Sequence, residues 1–141
     1  MTETGAIPSI EELRRVAADV GRETGCRLLV LFGSAARPGA PAPEDVDLAV
    51  LADGRLDTVE LTNILIRALG VQAIDVADLS HADALLMMLV ARDGVPLYER
   101  SPGEFDRFAS LAVRRYADTR KFRAMEAQEV RDFIAAGQPQ S

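Results

Sequence analysis

The stretch "LFGSAARPGAPAPEDVDLAV", residues 31–50, decides how this chain is read. A hydrophobic run closes on Gly33 and Ser34. Ten residues follow, with Pro38, Pro41 and Pro43 among them. Asp45 and Asp47 then open a second hydrophobic run. On a strand, residues two apart point to the same face. Asp45 and Asp47 therefore project together with Ala49, while Val46, Leu48 and Val50 project to the opposite, core-facing side. The spacing predicts two strands joined by a stiff loop, with carboxylates at the mouth of the second and small residues beside them.

Working outward, "RLLVLF" (27–32) is a short apolar run of the length of a buried strand, and "VDLAVLA" (46–52) is the second strand. Upstream, "PSIEELRRVAADVGRETG" reads as a helix capped by Ser9, with Glu12 completing a capping box; Gly21 weakens it and Gly25 ends it. Downstream, residues 56–70 form an amphipathic helix ending on Gly70, and "VQAIDVADL" (71–79) is a third strand. Residues 80–94 form a helix capped by Ser80, with Asp83 at the fourth place, and "VPLYE" (95–99) is a short fourth strand. Ser101, Pro102 and Glu104 have the pattern of a capped helix start. Phe105, Phe108, Ala112 and Tyr116 follow at helical spacing. A second apolar set, Phe122, Met125, Val130 and Phe133, belongs either to the same helix or to another after a bend. The order α-β-β-α-β-α-β-α predicts a mixed α/β (α+β) fold with a small sheet flanked by helices. The expected organisation is a single domain over 1–141, with a core at about 9–99 and a helical extension at about 101–135.

Strand 71–79 carries the pattern of the second strand. Val71, Ala73, Asp75 and Ala77 share one face, and Ile74 and Val76 the other. Neighbouring strands would then present Asp45, Asp47 and Asp75 together, with alanines leaving room for a ligand. Carboxylates that close repel unless cations lie among them. Oxygen-only donors suit a hard cation such as Mg²⁺, which also takes oxygens from substrate phosphates. Two such ions can hold the attacking and leaving oxygens of a phosphoryl or nucleotidyl transfer. Gly33 and Ser34 supply the matching half: glycine lets the backbone approach a ligand, and free N–H groups with the Ser34 hydroxyl form a phosphate cradle. Arg37 adds positive charge. A lone D-x-D is common in surface turns, and a lone Gly-Ser is commoner still. From ordinary residue usage, the two at this one spacing arise by chance in roughly one chain in several hundred.

Composition narrows the classes. The chain has 141 residues, 48% of them hydrophobic and 27% charged, with a net charge of −6. An acidic chain lacks the basic face that a sequence-independent grip on nucleic acid needs. Residues 1–98 hold 15 acids and 8 bases, and residues 99–141 hold 7 acids and 8 bases. The acid excess thus accompanies the carboxylates, although solubility alone accounts for it equally well. A single cysteine, Cys26, and a single histidine, His81, exclude an internal disulfide and a Cys/His zinc site. Cys26 reads as a packed residue and His81 as a surface one. With no apolar leader or membrane-length run, the expectation is a cytoplasmic protein with no membrane partner.

"GS", ten residues, then "DVD" resembles the G-S-x10-D-x-D signature of the minimal nucleotidyltransferases (MNT), small members of the DNA polymerase β-like superfamily. "GSAAR" is similar to the G-S-x-A-R form usual there, and "AIDVADL" lies where that family carries its third acidic strand. The resemblance covers nearly the whole chain and implies a polymerase β-like palm with a C-terminal helical extension. It implies that Gly33 and Ser34 bind nucleotide phosphates, with Arg37 a weaker carry-over. It makes Asp45, Asp47 and Asp75 both catalytic residues and ligands of Mg²⁺, two ions in all. Asp75, rather than its competitor Asp78 of opposite strand parity, becomes the base-side carboxylate. Pro38 and Glu44 depart from the glycine and serine of many relatives, which leaves nucleotide preference and rate open.

Relatives of this size resemble the antitoxin half of a toxin–antitoxin pair. The resemblance implies AMP transfer from ATP to a tyrosine hydroxyl of an all-helical HEPN-domain toxin, silencing it. A nucleotidyltransferase acting on a small molecule of the aminoglycoside kind is the enzymatic alternative, though this chain has only about 40 residues beyond its core to hold an acceptor. An idle antitoxin that neutralises its partner by docking alone is the non-enzymatic one. The amphipathic C-terminal helix serves either as a docking surface or as packing for the chain's own sheet.

Overall fold

The structure is a computed structural model that describes residues 8–36, 46–71 and 73–137. The elements in chain order are α1 (Ile10–Thr24), β1 (Cys26–Phe32), a 3₁₀ turn (Gly33–Ala36), β2 (Val46–Ala52), α2 (Thr58–Leu69), β3 (Ile74–Asp78), α3 (Ala84–Asp93), β4 (Val95–Glu99), α4 (Glu104–Asp118) and α5 (Arg120–Gly137). The four strands form one sheet in the order β3-β2-β1-β4. β1 runs antiparallel to both β2 and β4. β2 and β3 are parallel, because α2 between them carries the chain back to the starting end of the sheet.

β1 is buried on both faces, as its unbroken apolar run requires. On one face Leu29, Leu31, Val46, Leu48, Val50 and Ile74 pack with Leu13, Ala17 and Val20 of α1 and Leu61 and Leu65 of α2. On the other, Leu28, Val30 and Ala49 pack with Leu79, Met87 and Val90 of the α3 region and Phe108 and Ala112 of α4. Each fully buried Leu, Val or Phe contributes about 1.5–3 kcal/mol, so both layers are needed.

α1 starts as the capping pattern predicts, with the Ser9 hydroxyl accepting from the Glu12 N–H at 3.2 Å. It ends on Gly25 at φ 71°. Gly21 does not break it. The helix runs through this buried glycine, whose missing side chain makes room for the Tyr98 ring of β4.

Several boundaries differ from the sequence reading. Asp83, not Ser80, caps α3 by accepting from the Leu86 N–H at 2.8 Å. Ser80 instead bonds the carboxylate of Asp78, through its N–H at 3.0 Å and its hydroxyl at 2.7 Å. The Ser101–Glu104 pattern is not a capping box. Gly103 at φ 90° takes the N-cap position of α4 without a side-chain bond. Glu104 is the one buried charged side chain among the described residues. It accepts from Arg27 at 3.0 Å and pairs with Arg107 at 3.4 Å, which ties α4 to β1. β3 is shorter than predicted, and Val71, outside it, joins the core with Ile74 rather than the face of Asp75. Ala49 is fully buried under α3 and α4 rather than open beside a ligand. The two C-terminal apolar sets fall on separate helices. α4 buries Phe108 and Ala112, whereas every residue of α5 is exposed.

Candidate active site

Three strand ends meet where β1 finishes and β2 and β3 begin. In the β1–β2 ladder Phe32 stands opposite Asp47. In the β2–β3 ladder Asp47 stands opposite Asp75. Residues opposite one another in a ladder share a face, and neighbouring strands lie about 4.8 Å apart. Phe32, Asp47 and Asp75 therefore form a row on the α3/α4 side of the sheet. Asp47 is half-buried and Asp75 exposed. The alternation Val46, Leu48, Val50 places the intervening side chains in the opposite core, as predicted.

Gly33 closes this row. Its φ is 74°, a left-handed conformation that favours glycine. A Cβ built on it would run into the Asp47 Oδ2 atom and lie 3.3 Å from the Asp47 Cγ. The turn from β1 thus requires glycine for two independent reasons: its backbone angle and the Asp47 carboxylate beside it. The 3₁₀ turn that follows is fastened to the sheet by Ala35 and Ala36, which pack against the α1/α2 core.

Asp78 stands apart. It pairs with Val50 in the ladder, three residues beyond Asp75. Its carboxylate is engaged by Ser80, and His81 lies 4.0 Å away with its side chain 85% exposed. Asp75 lies at the opposite end of β3, and on the α2 side of this strand, across the sheet from the Asp47–Asp75 row, a cleft of about 280 Å³ runs between Ile74 and Val76 and Thr58, Thr62 and Asn63 of α2. The sequence reading did not anticipate that polar border. Its only signal is Thr58 and Thr62 one helical turn apart.

Asp45, Arg37 and the loop prolines lie outside the described residues, as does the side chain of Ser34. Among the described residues no group of three His, Cys, Asp or Glu side chains gathers. Asp47 and Asp75 are the two predicted acidic residues the sheet brings side by side. Their donors are carboxylate oxygens, which fit a hard divalent cation, and the absent side chain of Gly33 lets the Asp47 carboxylate lie directly against the turn. Cys26 is buried, and burial raises its thiol pKa, so it is a packing residue and not a nucleophile.

At the far end of the sheet lies an ionic frame. Arg100 of the β4 end donates to Asp53 after β2, Arg27 lies 3.4 Å from the same carboxylate, and Arg27 also holds Glu104. This frame fixes the end of the sheet remote from Asp47.

Comparison with known proteins follows the same site. The family model described as "Polymerase beta, Nucleotidyltransferase" matches residues 19–103, a span that includes Gly33, Asp47 and Asp75. The protein adenylyltransferase MntA of Aphanizomenon flos-aquae (strain 2012/KM1/D3) is 29% identical over 141 residues, covering 91% of this chain and 94% of that protein. Among solved structures, a toxin-antitoxin with AMP-PNP superposes with a TM-score of 0.71 at 26% identity, over 83% of this chain and 97% of that one. A tri-AMPylated Shewanella oneidensis HEPN toxin in complex with MNT antitoxin gives a TM-score of 0.69 at 25% identity, over 86% and 98%.

Proposed function

Because this chain belongs to the polymerase β nucleotidyltransferase family, we propose that it transfers AMP from ATP to a tyrosine hydroxyl of a HEPN-domain toxin and so acts as the toxin's antitoxin. The observation that carries the reading is the pairing of Asp47 with Asp75 across the parallel ladder, with Gly33 closing the row. Its relatives support the choice of donor and acceptor: one is named a protein adenylyltransferase, and one solved structure holds an AMPylated HEPN toxin with its MNT antitoxin.

In this reading Asp45, Asp47 and Asp75 hold Mg²⁺, two ions in all. When bound, Mg²⁺ offsets the negative charge of the triphosphate and of the developing leaving group. The turn at Gly33 and Ser34 binds the phosphates through its backbone N–H groups and the serine hydroxyl, and Arg37 adds positive charge in the adjoining loop. Asp75 is exposed, so an acceptor hydroxyl can reach it. It takes the proton as the tyrosine oxygen bonds to the α-phosphorus. The bond from that phosphorus to the bridging oxygen breaks, and pyrophosphate leaves. Asp78, engaged by Ser80, takes no part. The reaction takes place in the cytoplasm, where ATP is supplied; among the described residues no helix is long and apolar enough to cross a membrane.

The test is incubation of the purified protein with Mg²⁺, α-labelled ATP and the HEPN-domain product of the neighbouring reading frame. Label should appear on that partner and be lost with Asp47→Asn. Inhibition of the partner without label, unchanged by Asp47→Asn, would instead identify an antitoxin that acts by docking. Label on an aminoglycoside-type small molecule would identify the other alternative.

A further inference from the structure

α5 is an 18-residue helix in which every residue is exposed. Its length, about 27 Å at 1.5 Å per residue, lies near the limit at which isolated helices persist in water. Its attachment to α4 includes Arg123, whose guanidinium stacks over the Tyr116 ring at 3.9 Å. Phe122, Met125, Val130, Phe133 and Ile134 are all exposed, Phe133 at 80% and Phe122 at 68%. At about 100° per residue, Phe122, Glu126, Glu129 and Phe133 fall in one line, with Met125 and Val130 flanking it and Ile134 further round the helix. The stripe is therefore apolar at its ends and acidic at its centre. Neither Glu126 nor Glu129 has an ion-pair partner among the described residues.

That charge pattern selects the occupant. Glu126 and Glu129 straddle the midpoint of α5. Pairing with a second copy along the full helix, parallel or antiparallel, brings four carboxylates together within an apolar seam. Like charges so placed repel and reject the pairing. A partner helix with Lys or Arg between two apolar clusters meets the same stripe with matched charge and buried aromatic anchors.

Resting on the partner assigned above, we infer that the α5 stripe is the docking surface for a helix of the toxin, with basic residues at its centre. Docking on α5 and chemistry at Asp47 are then separate parts of one molecule.

The test uses the full chain, the purified toxin and two double variants, Glu126→Lys with Glu129→Lys, and Phe122→Asp with Phe133→Asp. Toxin affinity by calorimetry should fall by at least ~100-fold in each. Circular dichroism, melting temperature and ATP binding should stay as in the wild type, since α5 buries nothing in the core. Wild-type affinity in both variants, with the wild type still labelling the toxin, overturns this inference alone. A wild-type chain that sediments as a dimer, dissociated by Phe122→Asp with Phe133→Asp, makes a second copy the occupant and also overturns it. A wild-type chain that neither binds nor labels the toxin overturns both this inference and the function on which it rests.

Discussion

At Gly33 one position meets two demands, a backbone at φ 74° and a carboxylate where a side chain would begin. A non-glycine residue in the left-handed region costs about 1–2 kcal/mol, before Asp47 has moved at all. Gly33→Ala should therefore lower stability by at least ~1 kcal/mol in urea denaturation and reduce AMP transfer by roughly 100-fold through displacement of Asp47. Gly54→Ala is the contrast: a Cβ there meets no atom within 4 Å, so activity and stability should be unchanged. Equal effects from the two variants would contradict the account. The juxtaposition of Gly33, Asp47 and Asp75 was legible in the sequence because strand parity and a fixed spacing are properties of the chain itself. The separation of Asp75 from Asp78 was half legible: parity favours Asp75, but only the structure shows Ser80 holding the Asp78 carboxylate.

Among the elements, α1 and α4 show where local pattern suffices and where it fails. Ser9–Glu12 and Ser101–Glu104 have the same spacing, yet only the first caps through its serine hydroxyl. The carboxylate of Glu104 has a stronger claim on it from Arg27, 77 residues away in sequence, and no local motif encodes that distance. Gly21 is a related case. A glycine in a helix costs about 1 kcal/mol in propensity, but here it admits the Tyr98 ring. Gly21→Ala should therefore destabilise by about 1–3 kcal/mol, overpacking outweighing the propensity gain; a stabilised variant in urea melts would contradict this packing. The ionic frame gives a pH prediction. The hydrogen bond from Arg100 holds the Asp53 carboxyl below its ordinary range. A folded-state value below the unfolded one contributes stability above the unfolded pKa, and that contribution is lost as pH falls through the folded pKa. The melting temperature of the wild type should exceed that of Asp53→Asn by a small, constant amount at neutral pH. The excess should vanish in strongly acid solution; an excess that grows with acidity would contradict the assignment.

For the whole molecule, the sequence carries the element order, and the sheet follows from it with α2 as the parallel crossover. The fate of α5 was not legible. An amphipathic stripe looks the same whether the chain's own sheet or another protein covers it, and only the placement of α4 over the second face leaves α5 without a surface to meet. The result is a molecule with the paired aspartates at one end of its sheet, an ionic frame at the other, and an exposed C-terminal helix following α4. The most direct measurement of the central claim is the intact mass of the neighbouring HEPN-domain toxin after incubation with ATP, Mg²⁺ and the protein as wild type, Asp75→Asn or Asp78→Asn. The account predicts adenylyl additions on a tyrosine with the wild type and with Asp78→Asn, and their loss with Asp75→Asn. No addition with the wild type, or loss with Asp78→Asn while Asp75→Asn remains active, would contradict it.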